Sequence, residues 1–124
     1  MTADPSTPIA DGTDLGRQWI VNIVPPALIL VDLQLGYMLV PYACRTGDAV
    51  PGHAVHLVML LACLALAAVG WKSWERAGRR LPSDDGTQLG RSRFMAVLGI
   101  LVSLSSALVI AAQWWPSFII HPCQ

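Results

Sequence analysis

Hydrophobic positions gather into three long runs along this chain, and most polar positions fall at the two ends and in the connections between runs. Phe94 to Trp115, FMAVLGILVSLSSALVIAAQWW, carries no charge. At about 1.5 Å per residue, a helix of that length crosses a hydrocarbon core of roughly 30 Å. His53 to Trp71 is a second uncharged run, with Lys72 directly after it. Ala27 to Ala43 is the third, entered through Pro25-Pro26, and proline suits the first turn of a helix. The pattern predicts an all-α membrane protein of three transmembrane helices, over about 27–43, 53–71 and 94–115, in one domain spanning 19–124.

Ahead of that domain, residues 1–18 are expected to form a flexible arm, because Asp, Thr, Pro and Gly dominate up to Gly16 and leave too little apolar surface to order it. Leu15, Trp19 and Ile23 recur every fourth residue, which suits a short interfacial helix ending at a Pro-Pro break. No basic segment precedes an apolar stretch, which argues against a cleaved signal peptide. Leu81 to Gly90 reads as a turn-rich loop.

Charge sets the expected orientation. The connection between the second and third runs carries Lys72, Arg76, Arg79, Arg80, Arg91 and Arg93, whereas that between the first and second carries only Arg45. The positive-inside rule places the first of these connections in the cytoplasm, giving an N-in/C-out topology. The arm is then cytoplasmic. Trp71, Trp74, Trp114 and Trp115 fall near the expected interfaces. A composition of 54% hydrophobic and 13% charged residues agrees with a lipid-embedded chain. The formal net charge of +0 gives no pointer to nucleic acid, and none is expected as a partner.

The first run is marginal on its own. Its five leucines, one isoleucine and two valines each gain roughly 0.3 to 0.6 kcal/mol on insertion, while one central Asp costs about 2.5 to 3.5. Asp32 must therefore be neutral, near the cytoplasmic interface, or paired inside a helix bundle. Gln34, Tyr37 and Pro41 share a different face of that helix. Counting back from the external ends puts Gln34, Cys63 and Ser105 at similar depth, where a polar network could join the helices. On the third run Gly99, Ser103, Ala107 and Ala111 form a small-residue stripe for close helix packing against span one, span two or another protein.

The same topology puts Cys44 and Cys123 together on the external side, where a disulfide between them is expected and two unpaired thiols are the alternative. Cys63 reads as a small buried hydrophobe. His53 and His56 lie one turn apart near that side and His121 is beside Cys123, so these histidines and the thiols form a candidate Cu(I) or Zn(II) set that competes with the disulfide for sulfur. No phosphate loop, nucleophile elbow, zinc-protease helix or haem-attachment motif occurs, and no catalytic residue or resident cofactor is expected.

Leu33-Gln34-Leu35-Gly36-Tyr37-Met38-Leu39-Val40-Pro41-Tyr42-Ala43-Cys44, then Arg93-Phe94-Met95-Ala96 through Gln113-Trp114-Trp115-Pro116 to Pro122-Cys123, resembles a group of small three-span bacterial proteins often encoded beside cytochrome c oxidase genes. Gln34, Tyr37, Cys44 and Cys123 are the matching landmarks; Asp32 and His56 are not. The resemblance implies an accessory subunit of a haem-copper terminal oxidase in the bacterial inner membrane, with haem and copper held by the partner complex and lipid around both. A copper-delivery or assembly factor is the first alternative. A small oligomeric transporter centred on Asp32 is the second.

Overall fold

The computed structural model describes the backbone over residues 7–82, 86–121 and 123, and side chains from residue 15 onward. Three α-helices account for most of it: α1 (Thr7–Thr46), α2 (Val50–Arg76) and α3 (Gln88–Trp114), with a 3-10 turn over Trp115–Phe118. Leu15–Thr46, Val50–Arg76 and Gln88–Phe118 are each long and apolar enough to cross a membrane, which makes this a multi-pass membrane protein. The helices run up, down and up, so α1 and α3 are parallel. One end of the bundle carries the disulfide and the other the arginine-rich connection.

The expected interruption at Pro25-Pro26 is absent. α1 runs straight through both prolines, and residues 7–18, read from sequence as arm, are its first turns; residues 1–6 lie outside the described residues. The reason is local. Proline at 25 has no N–H for the Val21 carbonyl, and that carbonyl instead accepts from Ser103 Oγ of α3 at 3.4 Å. A neighbouring hydroxyl restoring a freed carbonyl is what lets a proline stay within a membrane helix. Asn22, one residue on, ties the same level together by donating from Nδ2 to the carbonyls of Gln18 (2.7 Å) and Met95 of α3 (3.2 Å).

Val21 is also the steric centre of this end. A Cβ added at Gly99 would lie 2.6 Å from Val21 Cγ1, and one at Gly70 would lie 3.3 Å from the same atom. Two glycines, one on each neighbouring helix, thus make the socket for one β-branched side chain. Gly99, Ser103 and Ala107 are buried and Ala111 half-buried, so the small-residue stripe is used inside the bundle. Of the three partners left open for it in sequence, span one, span two or another protein, it packs against the first two.

Above Val21 the core narrows to Cys63, Ala107 and Ile110, with Leu28, Ile29, Met59 and Leu60 against them. Many large apolar side chains on all three helices face outward, as lipid requires. The turn between α1 and α2 is short and hydrogen-bonded. Gly47 (φ +73°) ends α1 with its N–H on the Ala43 carbonyl, while the Asp48 carboxylate accepts from Val50 N–H to start α2. At the opposite end Arg93 Nε donates to the Ala77 carbonyl, and Thr87 caps α3 through Gly90 N–H.

Candidate functional site

Asp32 sits on the inward stripe of α1 that also carries Val21, Pro25, Leu28 and Ile29, and its side chain is fully buried. His56 of α2 meets it: Nδ1 lies 2.9 Å from both carboxylate oxygens, and the imidazole is 12% exposed. With Asp32 as a carboxylate, Nδ1 must carry the hydrogen and donate; in the neutral ring Nε2 then keeps a lone pair. Gly36, one turn from Asp32, makes the room; a Cβ there would lie 3.9 Å from His56 Cε1. Among the described residues Nε2 has no hydrogen-bond partner.

The end of α3 completes the site. Trp114 Nε1 donates to His53 Nδ1 at 2.8 Å, and because an indole can only donate, the His53 ring carries its hydrogen on Nε2. Phe118 packs against both rings, its centroid 5.0 Å from His53 and 5.4 Å from Trp114. The His56 ring stacks on Trp114 at 6.3 Å. Gln113 Oε1, by contrast, is buried without a hydrogen-bond partner.

Two adjoining cavities meet at this cluster. One, of about 280 Å³, lies among the last turns of α1, the first turn of α2 and the 3-10 turn, with His53, His56 and Asp48 on its wall. The other, of about 200 Å³, is bounded by Asp32, His56, Gln113 and Ser117 and by Leu33, Tyr37 and Val40 of α1. They share Gly36, Val40, His56 and Ser117. Toward the arginine-rich end, the apolar cluster around Cys63 and Ile110 closes the bundle below Asp32.

Cys44 and Cys123 are joined in a disulfide, with Cα atoms 5.5 Å apart, so the end of α1 is tied to the segment after the 3-10 turn. The thiols of the candidate metal set are therefore committed to each other. His121 is exposed, and among the described residues no three His, Cys, Asp or Glu side chains are placed to share a metal ion. Cys63 is free and buried in the core.

The expected network of Gln34, Cys63 and Ser105 does not form. Gln34, Tyr37 and Ser105 are exposed on the outer surface of the bundle. The disulfide spans a separation of 79 residues between parallel segments, and the same offset puts Gln34 level with Gln113, about two turns from Ser105. Depth counted from span ends went astray because those ends are not level: by the same offset the end of α3 at Trp114 stands level with Leu35, eight residues before Ala43. The expectation that Asp32 is paired within the bundle, one of three left open, is the arrangement found.

Sequence reasoning did not join Asp32 to His56, nor did it single out Gln113. A signal for the pair was present: an acid at membrane depth requires a partner, and His53 and His56 were the polar ionisable groups on the neighbouring span. Gln113 had no such signal, since its importance depends on which way α3 is rotated. The fold and site thus define a clasped three-helix membrane protein with a buried carboxylate–imidazole pair. Compared with family models, curated proteins and solved structures, the chain gives no match.

Proposed function

We propose that this protein is an accessory, non-catalytic membrane subunit that docks on a larger complex, a haem-copper terminal oxidase of the bacterial inner membrane. The observation that carries the docking role is Gln34. Its side chain is exposed on α1, level with Gln113 near the end of α3, and has no hydrogen-bond partner among the described residues. An amide facing hydrocarbon costs several kcal/mol unless another helix satisfies it, so a second membrane protein at this face is the economical solution. Exposed Tyr37, on the same flank at i+3, extends the surface.

The identity of the partner rests on the resemblance of the Leu33–Cys44 and Arg93–Cys123 segments to small proteins encoded beside cytochrome c oxidase genes. Haem and copper then belong to the partner. The N-in/C-out topology fits both ends of the bundle: arginines cluster at one, and a disulfide, which persists in oxidising compartments, closes the other. Copper delivery through Cys44 and Cys123 requires that bridge to be opened first. Transport through Asp32 requires a path past the apolar cluster.

Purification in mild detergent through an amino-terminal tag tests the proposal. Oxidase subunits in fixed stoichiometry, with haem absorbance in the same peak, are expected. Emergence of the protein alone and without haem would sink it.

A further inference from the structure

We propose that the paired cavities beneath the disulfide bind the hydroxylated ring of a lipid-soluble hydroquinone, with His56 Nε2 and Gln113 Oε1 accepting from its hydroxyls. Three observations converge on this class of ligand. First, two acceptors at the smaller cavity lack a donor: with the His56 ring neutral, Nδ1–H is committed to Asp32 and Nε2 keeps its lone pair, and Gln113 Oε1 is buried with no partner. A buried acceptor without a donor costs about 1 to 3 kcal/mol, which a ligand O–H recovers. Second, the carboxylate behind His56 fixes the ring and strengthens Nε2 as an acceptor, the arrangement by which an Asp–His pair prepares an imidazole for an incoming group.

Third, size and access select among donors. Cavities of about 280 and 200 Å³ lie at the small end of small-molecule sites, enough for one substituted ring and too small for a tetrapyrrole. The smaller cavity is walled by Leu33, Tyr37 and Val40, all exposed on the lipid-facing side of α1. It therefore opens sideways into the bilayer, and an apolar tail can remain in lipid while the ring enters. The inference is one of binding alone, with no electron transfer, and it is made for the undocked chain, in which the Leu33, Tyr37 and Val40 face is open to lipid.

The test uses the full chain, oxidised, in lipid nanodiscs under anaerobic conditions, titrated with decyl-ubiquinol and separately with decyl-ubiquinone. One equivalent of the quinol should bind, about a hundredfold tighter than the quinone, because the quinone lacks both donors and each lost hydrogen bond is worth about tenfold. Gln113→Leu and His56→Phe should each lower quinol affinity about tenfold and leave quinone uptake unchanged. Gln113→Leu replaces an amide whose oxygen already lacks a partner, so it keeps the variant test informative if His56→Phe fails to fold. Equal uptake of quinol and quinone by all three proteins would mean partition into lipid only and would overturn the proposal. Loss of binding in Gln113→Leu with no quinol preference in the wild type would overturn it as well.

Discussion

At the scale of single residues, the decisive interaction is the Asp32–His56 pair. Removing one member of a buried pair leaves the other uncompensated and costs about 3 to 5 kcal/mol, whereas replacing both with groups of similar volume is often near neutral. His56→Leu or Asp32→Leu alone should therefore lower stability in detergent by about that amount, and the two combined should restore most of it. Steric trapping or chemical unfolding of the four proteins of this cycle measures the coupling. Equal losses in the double and single variants would show that the pair does not act as a unit. The need for a partner at Asp32 is legible in the marginal insertion energy of the first hydrophobic run. Which residue supplies that partner depends on a register that no local pattern encodes.

At the scale of elements, Pro25 and Ser103 form a long-range substitution for one helical hydrogen bond. Ser103→Ala should cost about 1 kcal/mol by stranding the Val21 carbonyl. In a Pro25→Ala background the residue-25 N–H can serve that carbonyl, so Ser103→Ala should then be nearly silent. Unfolding measurements on the two single variants and the double decide this, and additive losses would contradict it. Gly99→Ala is expected to be the harsher change, losing about 1 to 3 kcal/mol, because the new methyl would collide with Val21, a stiff side chain already seated against Gly70. The existence and type of all three helices were legible from the hydrophobic runs. The start of α1 was not, because a proline pair reads locally as a boundary and is overruled here by a serine of α3, eighty-two residues from the Val21 carbonyl it satisfies.

At the scale of the whole molecule, the disulfide holds the site together by closing a loop spanning 79 residues. In the chain-entropy model such a loop is worth about 4 kcal/mol, an upper value here because helices in lipid stay partly ordered when separated. Reduction should add two mass units and lower the unfolding midpoint, while Cys44→Ser should reproduce the shift and make the protein insensitive to reductant. Mass spectrometry with thermal unfolding checks both. This clasp was legible because helix counting alone puts Cys44 and Cys123 on one side of the membrane. The inward use of the small-residue stripe was not, since Gly99, Ser103 and Ala107 pack equally well against a helix of the same chain or of another. With that stripe consumed, exposed Gln34 and Tyr37 are the surface we propose for docking.

Site-specific photo-crosslinking from position 34 in native membranes therefore tests the central claim most directly. With a benzophenone amino acid in place of Gln34, the account predicts an adduct to one oxidase subunit, absent when the probe is moved to exposed Leu108 on α3. Adducts to lipid alone, or to a second copy of the same chain, would contradict it.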